Sequence, residues 1–207
     1  MMRMQPVLEV GSPADFALWP TDTGRSYGLL VLDGRTGPLD VATAVWQLAD
    51  DNGGDPEEGG GPRPQDPLGD FLHGLSAGSY LLAPGGFRVT DTATGTVFDP
   101  GCCTGLEDRH EWLDVTDGPG EGWFGHDPDA RAERVGPIVR LTPDASVEGG
   151  PVIELPVDEL RRLVAGAEQD LRDFVRLAGS WARRQVPGHA EALTAALTRA
   201  LAPEPGA

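Results

Sequence analysis

Two adjacent thiols and two imidazoles, Cys102, Cys103, His110 and His126, are the side chains of this sequence best suited to chemistry. A thiolate is a nucleophile and a soft metal ligand, and an imidazole can serve it as a base. Thr104 and Glu107 form a T-x-x-E capping box, which predicts a helix from Gly105 to about Leu113. Both thiols would then sit just ahead of a helix N-terminus, where the dipole favours the thiolate. Glu107, Asp108 and Glu111 oppose that charge. His110, about two turns into such a helix, is poorly placed to reach back to Cys103. The pair therefore reads as buried structural cysteines at a tight turn, with a catalytic set of Cys102, Cys103, His110 and His126 as the enzyme alternative.

Residues 99–129 carry nine carboxylates, Asp99, Glu107, Asp108, Glu111, Asp114, Asp117, Glu121, Asp127 and Asp129, against Arg109 alone. Carboxylates with imidazoles can hold a divalent cation, but no metal-binding spacing is present. H-E-x-x-H fails after Glu111, and Gly118 does not fit an EF-hand loop. No metal and no cofactor is expected. A solvated acidic surface is the plain reading of this run, and a surface that docks a basic protein is the functional one, with Glu107, Asp108, Glu111, Trp123 and Phe124 as candidate contacts. The two aromatics stand between glycines in Gly122-Trp123-Phe124-Gly125, a setting in which aromatics usually pin a loop onto the core, and a small-molecule pocket on that loop is a further alternative. Gly74-Leu75-Ser76-Ala77-Gly78 matches G-x-S-x-G, yet the strand-then-helix setting of a nucleophile elbow is not expected around it, and it reads as a turn.

All 16 basic residues are arginine, which looks like the codon bias of a high-GC bacterium and leaves no lysine for a Schiff base or a phosphate loop. The net charge of −17 argues against nucleic acid and anionic membranes as partners. It is uneven along the chain: residues 1–151 hold 25 acids and 9 arginines, residues 152–207 only 8 and 7. No apolar run approaches the roughly 20 residues that cross a bilayer. Only two cysteines occur, and they are neighbours, which suits a reducing, cytoplasmic setting. Composition leaves the oligomeric state open.

The elements that must position these residues are predicted to form one α+β domain over 1–207, a mostly antiparallel sheet packed by a C-terminal αα-hairpin. Strands are expected at 27–32, 79–82, 87–90, 96–98, 137–141 and 152–155. Residues 39–49 fit a helix after Pro38, although Val41, Thr43 and Val45 also alternate as a strand would. Asn52 to Pro67 is a Gly/Pro/acid tract expected to be a flexible loop. From Val157, the apolar residues Leu160, Leu163, Val164, Ala167, Leu171, Phe174, Val175, Ala178 and Trp181 recur at three- and four-residue steps. They predict one long amphipathic helix stopped by Pro187-Gly188, with a second helix through Leu201. The functional expectation is a non-catalytic acidic binding protein, inhibitor- or immunity-like, that docks a basic protein partner.

Overall fold

A computed structural model describes residues 1–13, 15–24, 26–53 and 63–202. The fold is α+β, with two four-stranded antiparallel sheets and a C-terminal helix pair. The strands are β1 (Met2–Val10), β2 (Gly28–Val31), β3 (Gly85–Asp91), β4 (Val97–Phe98), β5 (Glu121–Trp123), β6 (Arg131–Val135), β7 (Ile138–Thr142) and β8 (Ile153–Pro156). The helices are α1 (Pro38–Asp51), α2 (Pro67–Ala77), α3 (Glu111–Asp117), α4 (Val157–Gln185) and α5 (Ala190–Leu201). The sheets run in the orders β2-β1-β3-β4 and β5-β6-β7-β8. Among the described residues no helix is long and apolar enough to cross a membrane.

The chain divides into two compact units. The first comprises Met1–Val7 and Pro84–Asp170, and the second Leu8–Ala83 and the chain from Leu171. Both β1 and α4 contribute residues to each.

In the first unit, β5 to β8 alternate as a half-buried sheet must. Ala132, Val139, Leu141, Ile153 and Leu155 point into the core, while Glu121, Trp123, Arg131, Glu133, Arg140 and Glu154 point outward. The centre of this core is aromatic. Trp112 of α3 stacks on Phe124 with ring centroids 4.1 Å apart, and both rings meet Phe98 edge-on.

In the second unit α1 is a helix, not the alternating strand its Val-Thr-Val pattern allowed. Pro38 pre-sets the first turn, and Val41, Val45 and Leu48 then fall on one buried stripe. Phe16, Trp19, Phe71 and Trp181 pack ring against ring, and the Trp19 indole N–H donates to the Ala42 carbonyl at 3.0 Å. Helix α4 follows its predicted stripe, with Asp158 and Glu159 in its first turn and Arg183 and Arg184 in its last. Its C-terminal part pairs with α5 where Gly179 approaches the Thr194 side chain.

Three local expectations give way. Residues 79–82 form no strand, because both backbone groups of Leu82 are taken by the Asn52 side chain. The Leu82 N–H donates to Asn52 Oδ1 and the Asn52 amide donates to the Leu82 carbonyl, each at 2.8 Å. The predicted helix over 105–113 is instead a 3-10 turn, Leu106–Asp108, followed by α3. Thr104 lies in an extended pairing in which its carbonyl accepts from the Gly85 N–H at 3.1 Å, and the N-cap position falls one residue later, on Gly105, which has no side chain to cap with. Gly74-Leu75-Ser76-Ala77-Gly78 is not a free turn but the end of α2, which Asp66 caps by accepting from the Gly69 N–H at 2.7 Å. Gly74 is required there, since a Cβ would stand 1.7 Å from the Asn52 carbonyl oxygen. Most of the 52–67 tract lies outside the described residues.

Candidate functional site

Two loops of the first unit meet backbone to backbone. The loop after β4 carries Cys102 and Cys103, and the loop between β5 and β6 carries His126. The Cys102 N–H donates to the His126 carbonyl at 2.6 Å, and the His126 N–H returns a bond to the Cys102 carbonyl at 3.1 Å. The Gly101 N–H donates to the Phe124 carbonyl at 2.8 Å. Glycine makes this approach possible. A Cβ on Gly101 would lie 2.3 Å from the Pro128 carbonyl oxygen, and one on Gly125 would lie 2.5 Å from the Gly101 carbonyl carbon.

The pairing gathers Cys102, Cys103 and His126, whose ligand atoms all lie within 4.8 Å of one another. The two sulfurs are 3.4 Å apart. Both cysteines are exposed, which replaces the expectation of buried structural thiols: the tight turn is present, with Cys103 at a positive φ of 66°, but its side chains face solvent. The cluster does not include His110, which occupies the exposed N-terminal end of α3. Nδ1 of His126 is 3.3 Å from the Asp127 carboxylate.

The acidic residues sort into distinct environments. Asp117 is bound by Arg161 and by the Thr116 hydroxyl, and Arg161 above all holds its carboxyl below the usual range. Asp99 pairs with Arg88, and Asp129 pairs with Arg131 at 2.8 Å. Glu107 and Asp108 lie half-buried in the 3-10 turn. Burial pulls the Arg109 guanidinium below its usual range, only partly countered by Glu168 and then Glu107. Glu111 is pushed up, first by burial and then by neighbouring Asp108, with the Trp123 backbone acting weakly the other way.

Trp123 and Phe124, adjacent in sequence, have opposite fates. Phe124 is buried against Trp112 and cannot serve as a surface contact. Trp123 is 42% exposed, and its indole N–H donates to Asp129 Oδ1 at 3.2 Å. It lines a groove of about 570 Å³ with Glu121, Arg131, Glu133, Thr142 and Ala145. In the sheet register Glu121 stands directly opposite Glu133, and Trp123 opposite Arg131. Glu121, Arg131, Glu133 and the bracing Asp129 were absent from the sequence-based contact set. A period-two pattern in Glu121-Gly122-Trp123 and Arg131-Ala132-Glu133 was the available signal, but strands this short and polar carry little hydrophobic evidence.

Chemically, the first unit thus offers a thiol–imidazole cluster and an acidic groove with an aromatic wall. No family profile matches this chain, and neither a curated protein nor a solved structure matches it.

Proposed function

We propose that this is an acidic binding protein whose β5–β6 groove receives a basic side chain of a protein partner. One observation carries the reading: Trp123 is exposed yet its indole is held by Asp129, within a groove that contains two directly opposed glutamates. Like charges placed opposite each other cost stability in the free protein. An arriving guanidinium removes that cost and lies on the indole face as a cation–π contact. A pre-held aromatic also loses little side-chain freedom on binding.

Charge supports a local contact more than a global field. Counted by unit, the excess of acids is 18 over 8 arginines in the first and 15 over 8 in the second, so the asymmetry along the chain is largely averaged out. The acidity of the first unit is instead concentrated in residues 99–129.

An arginine-rich peptide titrated against the protein, followed by tryptophan fluorescence, tests the reading. Affinity is expected to fall steeply with salt, as the Debye length shrinks from about 10 Å at 0.1 M to about 3 Å at 1 M. Trp123→Ala is expected to weaken binding at least about tenfold, on the scale of an interface anchor. Glu133→Gln should cost more than the equal-charge change Glu148→Gln outside the groove. Binding that ignores Trp123→Ala, or that responds equally to both glutamate changes, would reduce the acidity to a solubility trait.

A further inference from the structure

We propose that Cys102, Cys103 and His126 form a binding site for a thiophilic d10 cation of the zinc class, independent of the groove. Three features carry this. The first is the ligand set. Two thiolates and one imidazole are a borderline-soft donor group, suited to zinc and unsuited to magnesium or calcium. Three protein ligands would leave the fourth tetrahedral position for water or for a small ligand.

The second is spacing. Tetrahedral zinc, with Zn–S of about 2.3 Å and Zn–N of about 2.0 Å, separates two sulfurs by roughly 3.7 Å and sulfur from nitrogen by roughly 3.5 Å. Here the sulfurs are 3.4 Å apart and the nitrogen lies within 4.8 Å of both. Small side-chain rotations would close that difference, and all three residues are exposed.

The third is how the backbone produces the cluster. Successive side chains of an extended segment point to opposite faces, so adjacent cysteines there would diverge. Cys103 instead has φ of +66°, a left-handed conformation that residues other than glycine, asparagine and aspartate rarely adopt. It accompanies a turn that brings the two sulfurs together. The opposing loop is locked on by the reciprocal Cys102–His126 backbone bonds and the two glycines that permit them. The imidazole is therefore placed by main-chain pairing with one of its own co-ligands. With Nε2 as the ligand, Asp127 beside Nδ1 would be the carboxylate that commonly orients a metal-bound histidine.

Binding would convert both thiols to thiolates and release their protons to solvent as the two metal–sulfur bonds form. No electrons are exchanged.

The test is a titration of the reduced, chelator-treated full chain with Co²⁺, followed by displacement with Zn²⁺. The expected result is one equivalent of Co²⁺ giving thiolate-to-metal charge-transfer and tetrahedral ligand-field bands, which Zn²⁺ bleaches with net proton release. Cys102→Ser, Cys103→Ser and His126→Gln should each weaken binding by at least about tenfold, given that even outer-shell changes cost 10–100-fold. His110→Gln and Trp123→Ala should leave it unchanged. Circular dichroism of each variant should match the parent, because the bonds joining the loops are made by main chain. No thiolate–cobalt bands in the reduced protein, or bands of full strength in His126→Gln, would overturn the site.

Discussion

The two units bury aromatic clusters of similar kind but build them by different means. In the second, Phe16, Trp19, Phe71 and Trp181 are gathered by long helices and the chain leading into them. In the first, Phe98, Trp112 and Phe124 are gathered by short strands, a seven-residue helix and loops in backbone contact. A long helix satisfies its own backbone polar groups and needs only an apolar stripe to dock. Short strands and loops must find partners for those groups elsewhere, so their backbones come close together. That closeness is also what sets chemically useful side chains beside one another. The thiol–imidazole cluster and the acidic groove both belong to the loop-built unit.

Core truncations should have the largest effect. Trp112→Ala removes the centre of the first aromatic cluster, and Leu171→Ala empties a fully buried position of α4 in the second unit. Losses of about 3–5 and about 2–5 kcal/mol are expected, the usual costs of such cavities. Hydrogen exchange would sharpen the contrast. Trp112→Ala should deprotect α3, β5 and β6 more than α1, α2 and α5, and Leu171→Ala should do the reverse. Equal deprotection everywhere would erase the distinction between the units.

Gly101→Ala should act more locally. The added methyl collides with the Pro128 carbonyl, which is backbone and cannot swing aside. A cost of about 1–3 kcal/mol is expected, as for overpacking, read from the denaturation midpoint. Cobalt binding should fall with it, since the loop carrying His126 is displaced. A variant as stable as the parent would show that the loops can separate freely.

The smallest effect concerns Glu111. Its folded carboxyl is raised above the ordinary value of 4.5, chiefly by burial. Its contribution to stability is therefore fully present below that value and is lost as pH rises through the folded one. In thermal melts from about pH 3 to pH 7, Glu111→Gln should gain stability relative to the parent as pH increases. Asp117 supplies the opposite sign. Arg161 depresses its carboxyl, so Asp117 stabilises above the ordinary value of 3.8 and loses that contribution as pH falls. A Glu111→Gln difference that is flat across this range would break the assignment.

How far the sequence carried the fold depends on whether the signal was local. The apolar stripe from Leu160 to Trp181 repeats through many turns, and α4 appears where it predicts, stopped before Pro187, which has no N–H to donate. The hairpin of β3 and β4 is likewise local, its turn residues Asp91 to Gly95 lying between two apolar runs. Helix α2 was missed although Asp66-Pro67 marks its start, because Gly69 and Gly74 interrupt its pattern.

Sequence by itself determined the α+β class, the long helix and the acidity of residues 99–129, since each is written in neighbouring residues. Tertiary structure alone decided that Trp123 faces water while Phe124 fills the core, because adjacent residues of an extended segment take opposite faces and only the pairing with β6 and with Ala130 before it sets which. It alone brought His126 rather than His110 into the cluster with the two cysteines. The residues between Cys103 and His126 leave that meeting open. It depends on Gly101 and Gly125 letting two backbones touch, a long-range condition that no local periodicity records.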